Sequence, residues 1–405
     1  MADAVSQAGP DGAVGDRGGP AGAGPQADAH GPQADAHGPQ ADAHGPQADA
    51  HGPQAGGAGP QAGGAGPQAG GAGPQAVQTW EQTSVGLGHV LAALPELRRQ
   101  ASGREAGTRT AVMTLVMVIG ADDDPEESAK SFRSLGGHHP CRVVVLRPDP
   151  DSTPAIDARA CLWRAQPAGD QDHPVFFEEI HLRVGGQAAS HLASIVGPFV
   201  LADLPVVMWF PHLLPDPADP LLRLASAVVV DTRSIGPGAE AIGHSYRTLL
   251  ELANHQPVVD LSWVRLQPWR ELLAGLFEPE HNREFLSGVR LTSVRGKPGP
   301  RHMLGGWLLS QLDLRARELV LEDAKHVAIT LYAEYQGEDG KFEVSRDDRM
   351  RAVWAQATLS GGVSHRQGLP LPDDSLTSAL SSAVSNLRAD RVWERALAAA
   401  AALAS

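Results

Sequence analysis

Thr110-Ala-Val-Met-Thr-Leu-Val-Met-Val-Ile119, then Asp122-Asp-Asp-Pro-Glu-Glu127, then Cys141-Arg-Val-Val-Val-Leu146 form the stretch that decides the fold. The first run is apolar almost throughout, the pattern of a strand buried on both faces. The acidic run opens a helix. It offers an Asp N-cap, a Pro in the first turn and carboxylates near the positive end of the helix dipole. The helix is expected to reach Leu135 and stop at Gly136-Gly137. The third run is a second strand. Strand, helix of about ten residues, strand is a βαβ signal and implies a parallel pair.

Upstream, Val77 to Arg99 reads as an approach segment and a helix carrying Val90, Leu91, Leu94 and Leu97. Downstream, Ala158–Ala165 and Val175–Val184 read as strands. Gly185-Gly186 leads into a helix from Ala188 to Val196, and Leu204–Phe210 is a strand ending at Pro211. A helix at Pro217–Leu224, a strand at Ala225–Asp231 and a helix at Ala239–Ala253 continue the alternation. Residues 77–240 are thus expected to form an α/β domain with a mostly parallel sheet.

The last third changes character. Val289–Val294 is a short strand and Met303–Leu312 a helix. Val327–Tyr335 and Lys341–Ser345 form a hairpin turning at Gly337-Glu-Asp-Gly340. Arg351–Leu359 adds a strand, and Asp374–Leu387 and Asp390–Leu403 are helices. Residues 241–405 are therefore expected to form a smaller α+β domain, with the boundary near 236–245.

Residues 1–76 are different in kind. From Gly24 the unit Gly-Pro-Gln-Ala-Asp-Ala-His repeats four times, then becomes Gly-Pro-Gln-Ala-Gly-Gly-Ala three times. The period is seven, but Gly and Pro break helices and no large apolar residue supplies a seam. A long disordered tail is expected, because so little surface can be buried against the ordering entropy. His30, His37, His44 and His51 recur in it without fixed ligand geometry.

The net charge is −14. Seven Asp and one Arg in residues 1–76 account for −6 of it and leave −8 for the rest. An acidic body with no basic block argues against a nucleic-acid partner. No apolar run is long enough to span a bilayer, and Met1–Pro10 has no signal-peptide pattern, so a cytoplasmic protein without a membrane partner is expected. Cys141 and Cys161 do not make a disulfide scaffold and are expected to be buried thiols.

Chemistry-bearing motifs fail on inspection. Gly243-His-Ser-Tyr-Arg247 has Arg where a nucleophile elbow needs its second Gly, and it lies in a helical pattern. Gly296-Lys297 ends no phosphate loop, since Leu291 and Pro298 stand at the other required positions. Gly185-Gly186, between strand and helix, is a possible anion-binding turn but lacks the full glycine fingerprint. His138-His-Pro-Cys141 has no second ligand cluster, and helix capping accounts for Asp122-Asp-Asp124. Asp231 ends a strand, where an open α/β sheet places functional carboxylates. No metal and no cofactor is expected.

What stands out instead is Asp260-Leu-Ser-Trp-Val-Arg-Leu-Gln-Pro-Trp-Arg-Glu-Leu-Leu-Ala-Gly-Leu-Phe277. Leu272, Leu273, Leu276 and Phe277 recur at helical spacing, and Pro268 fits a first helical turn. Aromatic residues and Arg dominate interface hot spots, so Trp209, Trp263, Arg265, Trp269 and Arg270 are the candidate partner contacts; the alternative for each Trp is a place in the core.

Four blocks carry a family resemblance: Thr114-Leu-Val-Met-Val118, His139-Pro-Cys-Arg-Val-Val-Val-Leu146, Leu201-Ala-Asp-Leu-Pro-Val-Val-Met-Trp-Phe-Pro211 and Asp260 through Leu273. In order and spacing the chain resembles the OpcA family, the glucose-6-phosphate dehydrogenase assembly proteins, over about residues 77–400. The Arg-rich, Lys-poor composition resembles actinobacterial members. The resemblance implies a non-catalytic partner of glucose-6-phosphate dehydrogenase. It would act as assembly factor and allosteric activator in the oxidative pentose phosphate pathway and so support NADPH supply. It also ties cyanobacterial members to redox control through cysteines. The alternative reading is a sugar-phosphate- or nucleotide-binding α/β enzyme using Gly185-Gly186 and Asp231.

Overall fold

The computed structural model describes residues 73–102, 111–135, 139–165, 175–234, 239–312, 314–315 and 318–404. The repeat tail through residue 72 and His138 lie outside them. Everything described belongs to one compact unit, Ala69–Ser405.

Its first sheet has eight strands: β1 (Gln75–Gln82), β2 (Met113–Val118), β3 (Cys141–Asp149), β4 (Ile156–Ala165), β5 (Val175–Gly185), β6 (Val206–Phe210), β7 (Ala227–Val230) and β8 (Val258–Asp260). They are ordered β1-β4-β5-β3-β2-β6-β7-β8. Every pair from β5 to β8 is parallel, while β1 with β4 and β4 with β5 are antiparallel. The expected β2–β3 pair runs from Met113 opposite Cys141 to Val118 opposite Leu146. β1 starts at Gln75, two residues inside the stretch expected to lack structure.

Alternation explains the two-sided burial. Leu115, Met117, Val143, Val145, Val207, Trp209 and Val229 face one layer, and Val116, Val118, Val144, Leu146, Met208, Val228 and Val230 the other. Each side chain points opposite to its neighbour, so a strand between two helical layers must be apolar at every position. The helices are α1 (Leu87–Ser102), α2 (Pro125–Arg133), α3 (Leu192–Val196) and α4 (Ala239–Ala253). Asp124 caps α2 by accepting from Glu126 N. Consecutive carboxylates on β5 fix a helix to each face. Glu178 pairs with Arg98 of α1 and Arg142, and Glu179 pairs with Arg133 of α2.

The second sheet contains β9 (Val289–Gly296), β10 (Leu319–Asp323), β11 (Ala328–Tyr335), β12 (Glu338–Asp347), β13 (Ala352–Leu359) and β14 (Gly362–Pro370), ordered β10-β9-β11-β12-β13-β14. Only β10–β9 is parallel. The hairpin ladder continues to Tyr335 opposite Glu338, so the turn is Gln336-Gly337 and not the four-residue Gly337–Gly340. Both turn residues have positive φ, 52° and 83°. That is the two-residue geometry whose twist matches the flanking strands.

Between the sheets' elements run α5 (Leu261–Arg265), α6 (Gln267–Gly275), α7 (Glu280–Glu284), α8 (Pro298–Leu312), α9 (Leu376–Ser385) and α10 (Arg391–Leu403). The chain crosses back late: Ala379, Leu380, Ala383 and Val384 of α9 join the layer of the first sheet that holds Trp209. α10 packs on α8 so closely that a Cβ on Gly306 would sit 2.2 Å from Ala396 O and 2.6 Å from Ala400 N. Gly306→Ala must therefore push two helix backbones apart. We expect a loss of about 3 kcal/mol, read as a lower urea midpoint at unchanged slope.

Candidate functional site

The site grows from the carboxyl ends of β7 and β8. Asp260 ends β8 and caps α5, accepting from Ser262 N at 2.9 Å. Its second oxygen accepts from Thr232 Oγ1 at 2.8 Å, and Thr232 N donates at 3.1 Å. One buried carboxylate thus ties both strand ends to a helix start. Burial, and then the charge of Asp231, push the Asp260 carboxyl up to about 6. Asp231 accepts from Ser262 Oγ at 3.0 Å and from Arg265 Nη1 at 2.9 Å. Arg265 Nε also approaches Asp374 to 3.5 Å, and Arg233 pairs with the same carboxylate. The end of the parallel sheet, α5 and the segment before α9 are held as one.

Behind this lies a second junction. Trp263 donates from Nε1 to Asp390 Oδ2 at 2.8 Å, and Asp390 caps α10. The Arg270 guanidinium lies 3.4 Å from the Trp263 ring centroid and donates to Trp263 O at 2.7 Å. Burial pulls the Arg270 pKa down to about 10, so the group stays charged at neutral pH.

In front lies a cavity of about 600 Å³. Thr232, Arg233, Ser262 and Arg265 close its sheet end. Leu266, Pro268 and Trp269 form an apolar wall, Lys297, Lys325, His326 and Arg346 a basic one, and Asp373 and Asp374 an acidic one. It lies beyond the carboxyl ends of β7 and β8, at the edge of the parallel sheet.

Of the sequence candidates, the structure brings Arg265 and Trp269 to this cavity. Trp263 and Arg270 stack on each other behind it. Trp209 stands apart: it is fully buried in β6, tilted against Phe132 at 6.5 Å between centroids, and offers no surface to a partner in this fold. Gly185 N donates to Ala155 O, and the backbone of Thr153 and Pro154 fills the space where Cβ atoms of the Gly185-Gly186 pair would lie. That turn's tightness is a packing requirement. Ser245 lies inside α4 and donates to Ala241 O. Among the described residues no group of three or more His, Cys, Asp or Glu is placed to hold a metal, and no helix is long and apolar enough to cross a membrane.

Residues 133–247 match the family model described as glucose-6-phosphate dehydrogenase subunit N-terminal domain, and residues 256–397 match that subunit's C-terminal domain. The chain belongs to the OpcA family. It is 24% identical over 189 residues to a protein named OpcA from Synechocystis sp. (strain ATCC 27184 / PCC 6803 / Kazusa), covering 44% of this chain and 38% of that protein. It is 25% identical over 228 residues to one from Synechococcus elongatus, covering 51% and 50%. A third, from Nostoc punctiforme, is 23% identical over 284 residues, covering 63% and 55%. The chain thus spans 38% to 55% of the length of the curated relatives it matches. Among solved structures, glucose-6-phosphate 1-dehydrogenase from Mycobacterium avium aligns at 10% identity and a TM-score of 0.38, covering 70% of this chain and 90% of that one. At that score the likeness carries nothing about this chain.

Both OpcA-family domains build the cavity. Thr232, Arg233 and Ile242 come from the N-terminal match and the remaining lining from the C-terminal one. The basic wall is the part that sequence reasoning missed. A compositional signal existed: lysine supplies only four of the 33 basic residues, and two of the four, Lys297 and Lys325, line the cavity.

Both cysteines are free and buried. Burial pushes the Cys141 thiol far up, and it pushes up Cys161, whose Sγ accepts from Thr79 Oγ1 at 3.7 Å. The thiolate is the reactive form, so both are held inert. Iodoacetamide at pH 8 is expected to leave both unmodified in the folded chain and to label both in urea, as read by mass spectrometry. Rapid labelling of either in the folded chain would contradict their placement.

Proposed function

We propose that this OpcA-family chain is a non-catalytic assembly factor and allosteric activator of glucose-6-phosphate dehydrogenase, supporting NADPH supply through the oxidative pentose phosphate pathway. The observation that carries the reading is the ordered match of both dehydrogenase-subunit domains across residues 133–397. The geometry is consistent with it. Among the described lining residues, no serine or threonine hydroxyl is hydrogen-bonded to the one histidine, His326, which instead faces Asp348 at 3.1 Å. The nucleophile–base arrangement of acyl transfer is therefore not assembled there.

The mechanism is linkage. A partner that binds the active assembly better than the inactive one shifts the population by its differential affinity. Moving a dehydrogenase from mostly inactive to mostly active takes roughly 10⁴-fold preference, about 5.5 kcal/mol. The contact surface proposed here includes Trp269 and Arg265, with Gln267 and Glu271 on the exposed side of α6. Trp263 and Arg270 act through it by fixing α5 and α6 against α10.

Size-exclusion chromatography of the purified chain with its cognate dehydrogenase tests the reading. Co-elution, or a change in the enzyme's assembly state, is expected. Separate elution with an unchanged enzyme would end it. Deleting residues 1–72 is expected to leave the association intact, because β1 begins at Gln75.

A further inference from the structure

We propose that the cavity at the carboxyl ends of β7 and β8 binds a sugar monophosphate, with the phosphate on Lys297 and Lys325 and the sugar body against Trp269 and Asp373. At about 600 Å³ it lies within the range of small-molecule sites. Its charge is arranged by the fold. β9 and β10 are parallel, with Asp323 opposite Gly296, and Ala324 N donates to Gly296 O. Lys297 and Lys325 therefore leave the same end of two neighbouring strands.

Neither lysine forms an ion pair among the described residues, whereas the other cations of the lining are taken. Arg233 pairs with Asp374, Arg265 with Asp231, and Arg346 and His326 both with Asp348. Asp348, whose charge Lys325 also feels, is thus already engaged. Pro298 and Pro300 have no N–H, so the start of α8 presents few amides and an anion must rely on the two ammonium groups.

Asp373 and Glu271 also line the cavity. Among the described residues Asp373 accepts from the backbone and hydroxyl of Ser375, and Glu271 from Gln267 Nε2. Neither carboxylate is in an ion pair among the described residues; such groups repel a second phosphate but accept from hydroxyls, so the cavity favours one anionic end and one hydroxylated end. Half-buried Trp269 lines the same cavity. Its ring gives an apolar face for the C–H side of a sugar.

The test is calorimetric titration of the full chain with glucose 6-phosphate, inorganic phosphate, glucose and AMP. Saturable glucose 6-phosphate binding is expected, with the other three at least about tenfold weaker. Each charge-assisted contact to phosphate is worth roughly tenfold or more. Lys297→Gln/Lys325→Gln should therefore weaken binding about 100-fold, while Lys130→Gln/Lys341→Gln leaves it unchanged. Asp373→Asn should weaken glucose 6-phosphate without weakening inorganic phosphate. The proposal is overturned by no saturable binding at millimolar ligand, by AMP or phosphate binding as tightly, or by full affinity in a folded Lys297→Gln/Lys325→Gln variant. The readout uses the chain alone, so either result leaves the dehydrogenase partnership to its own test.

Discussion

Trp209→Ala is expected to cost the isolated chain about 3–5 kcal/mol of stability, whereas Trp269→Ala costs less than about 1.5 kcal/mol and weakens the proposed effect on the dehydrogenase. The two tryptophans looked alike in the sequence, each flanked by apolar or basic residues. Trp209 lies in a strand whose two neighbours, β2 and β7, are themselves buried, and α2 covers its ring through Phe132. Truncation there leaves a cavity that rigid strands cannot close. Its Nε1 has no hydrogen-bond partner, so Trp209→Phe forfeits only volume and is expected to stay within about 1.5 kcal/mol. Trp269 sits on a cavity wall with part of its ring in solvent. Urea unfolding reads the first effect and dehydrogenase kinetics the second. A stable Trp209→Ala variant that fails only in dehydrogenase assays would reverse the assignment.

Glu179→Ala is the second large effect, about 3–5 kcal/mol at pH 7. The carboxylate is 1% exposed, held bidentately by Nε and Nη2 of Arg133 and met by His181 Nε2 at 2.6 Å. Arg133 is itself 12% exposed, lies 4.2 Å from the Trp163 ring centroid and bridges to Glu126. Removing Glu179 leaves a guanidinium enclosed with one partner lost, and replacing its charge does not restore water. Burial alone would raise this carboxyl, but the hydrogen bonds from Arg133 and His181 outweigh it and hold it below the ordinary 4.5. Glu178 is lowered in the same way by Arg98 and Arg142. A folded-state pKa below the unfolded one contributes stability above about pH 4.5 that is lost as pH falls through the folded value. The gap between the native chain and Glu179→Ala is therefore expected to be full at pH 7 and to shrink below pH 4.5. A gap independent of pH would show that the ion cluster is not what holds α2 on the sheet.

The interior of both sheets was legible in the sequence, and the edges were not. β2, β6, β7 and the Val143–Leu146 core of β3 announce themselves as apolar runs, because every position there faces one packed layer or the other. The four strands that pattern reading passes over are β1, β8, β10 and β14, which are the four sheet edges. β14 is exposed at most positions and ends in Pro370, and β10 is Leu-Val-Leu-Glu-Asp. Edge strands carry charge and proline to discourage further pairing, which erases the apolar signal that would reveal them. β8 is three residues long and pairs with β7, Val228 opposite Val258, so it is too short to show a pattern of its own.

The candidate site was half legible for a related reason. The tryptophan–arginine block stood out as composition, but its roles depend on bonds to Asp231 and Asp390, which lie 34 and 127 residues away. Spacing within the block says nothing about those partners. The cavity's basic wall joins two strand ends that pair in parallel, a contact that local periodicity does not encode.

We propose that this chain biases the dehydrogenase toward its active assembly. This is tested most directly by steady-state kinetics of the purified cognate enzyme, with the chain added from zero to several equivalents. A saturable rise in turnover or fall in glucose 6-phosphate KM is expected at a fixed ratio of chain to enzyme, weakened by Trp269→Ala. Unchanged turnover, KM and oligomeric state at every ratio would contradict it.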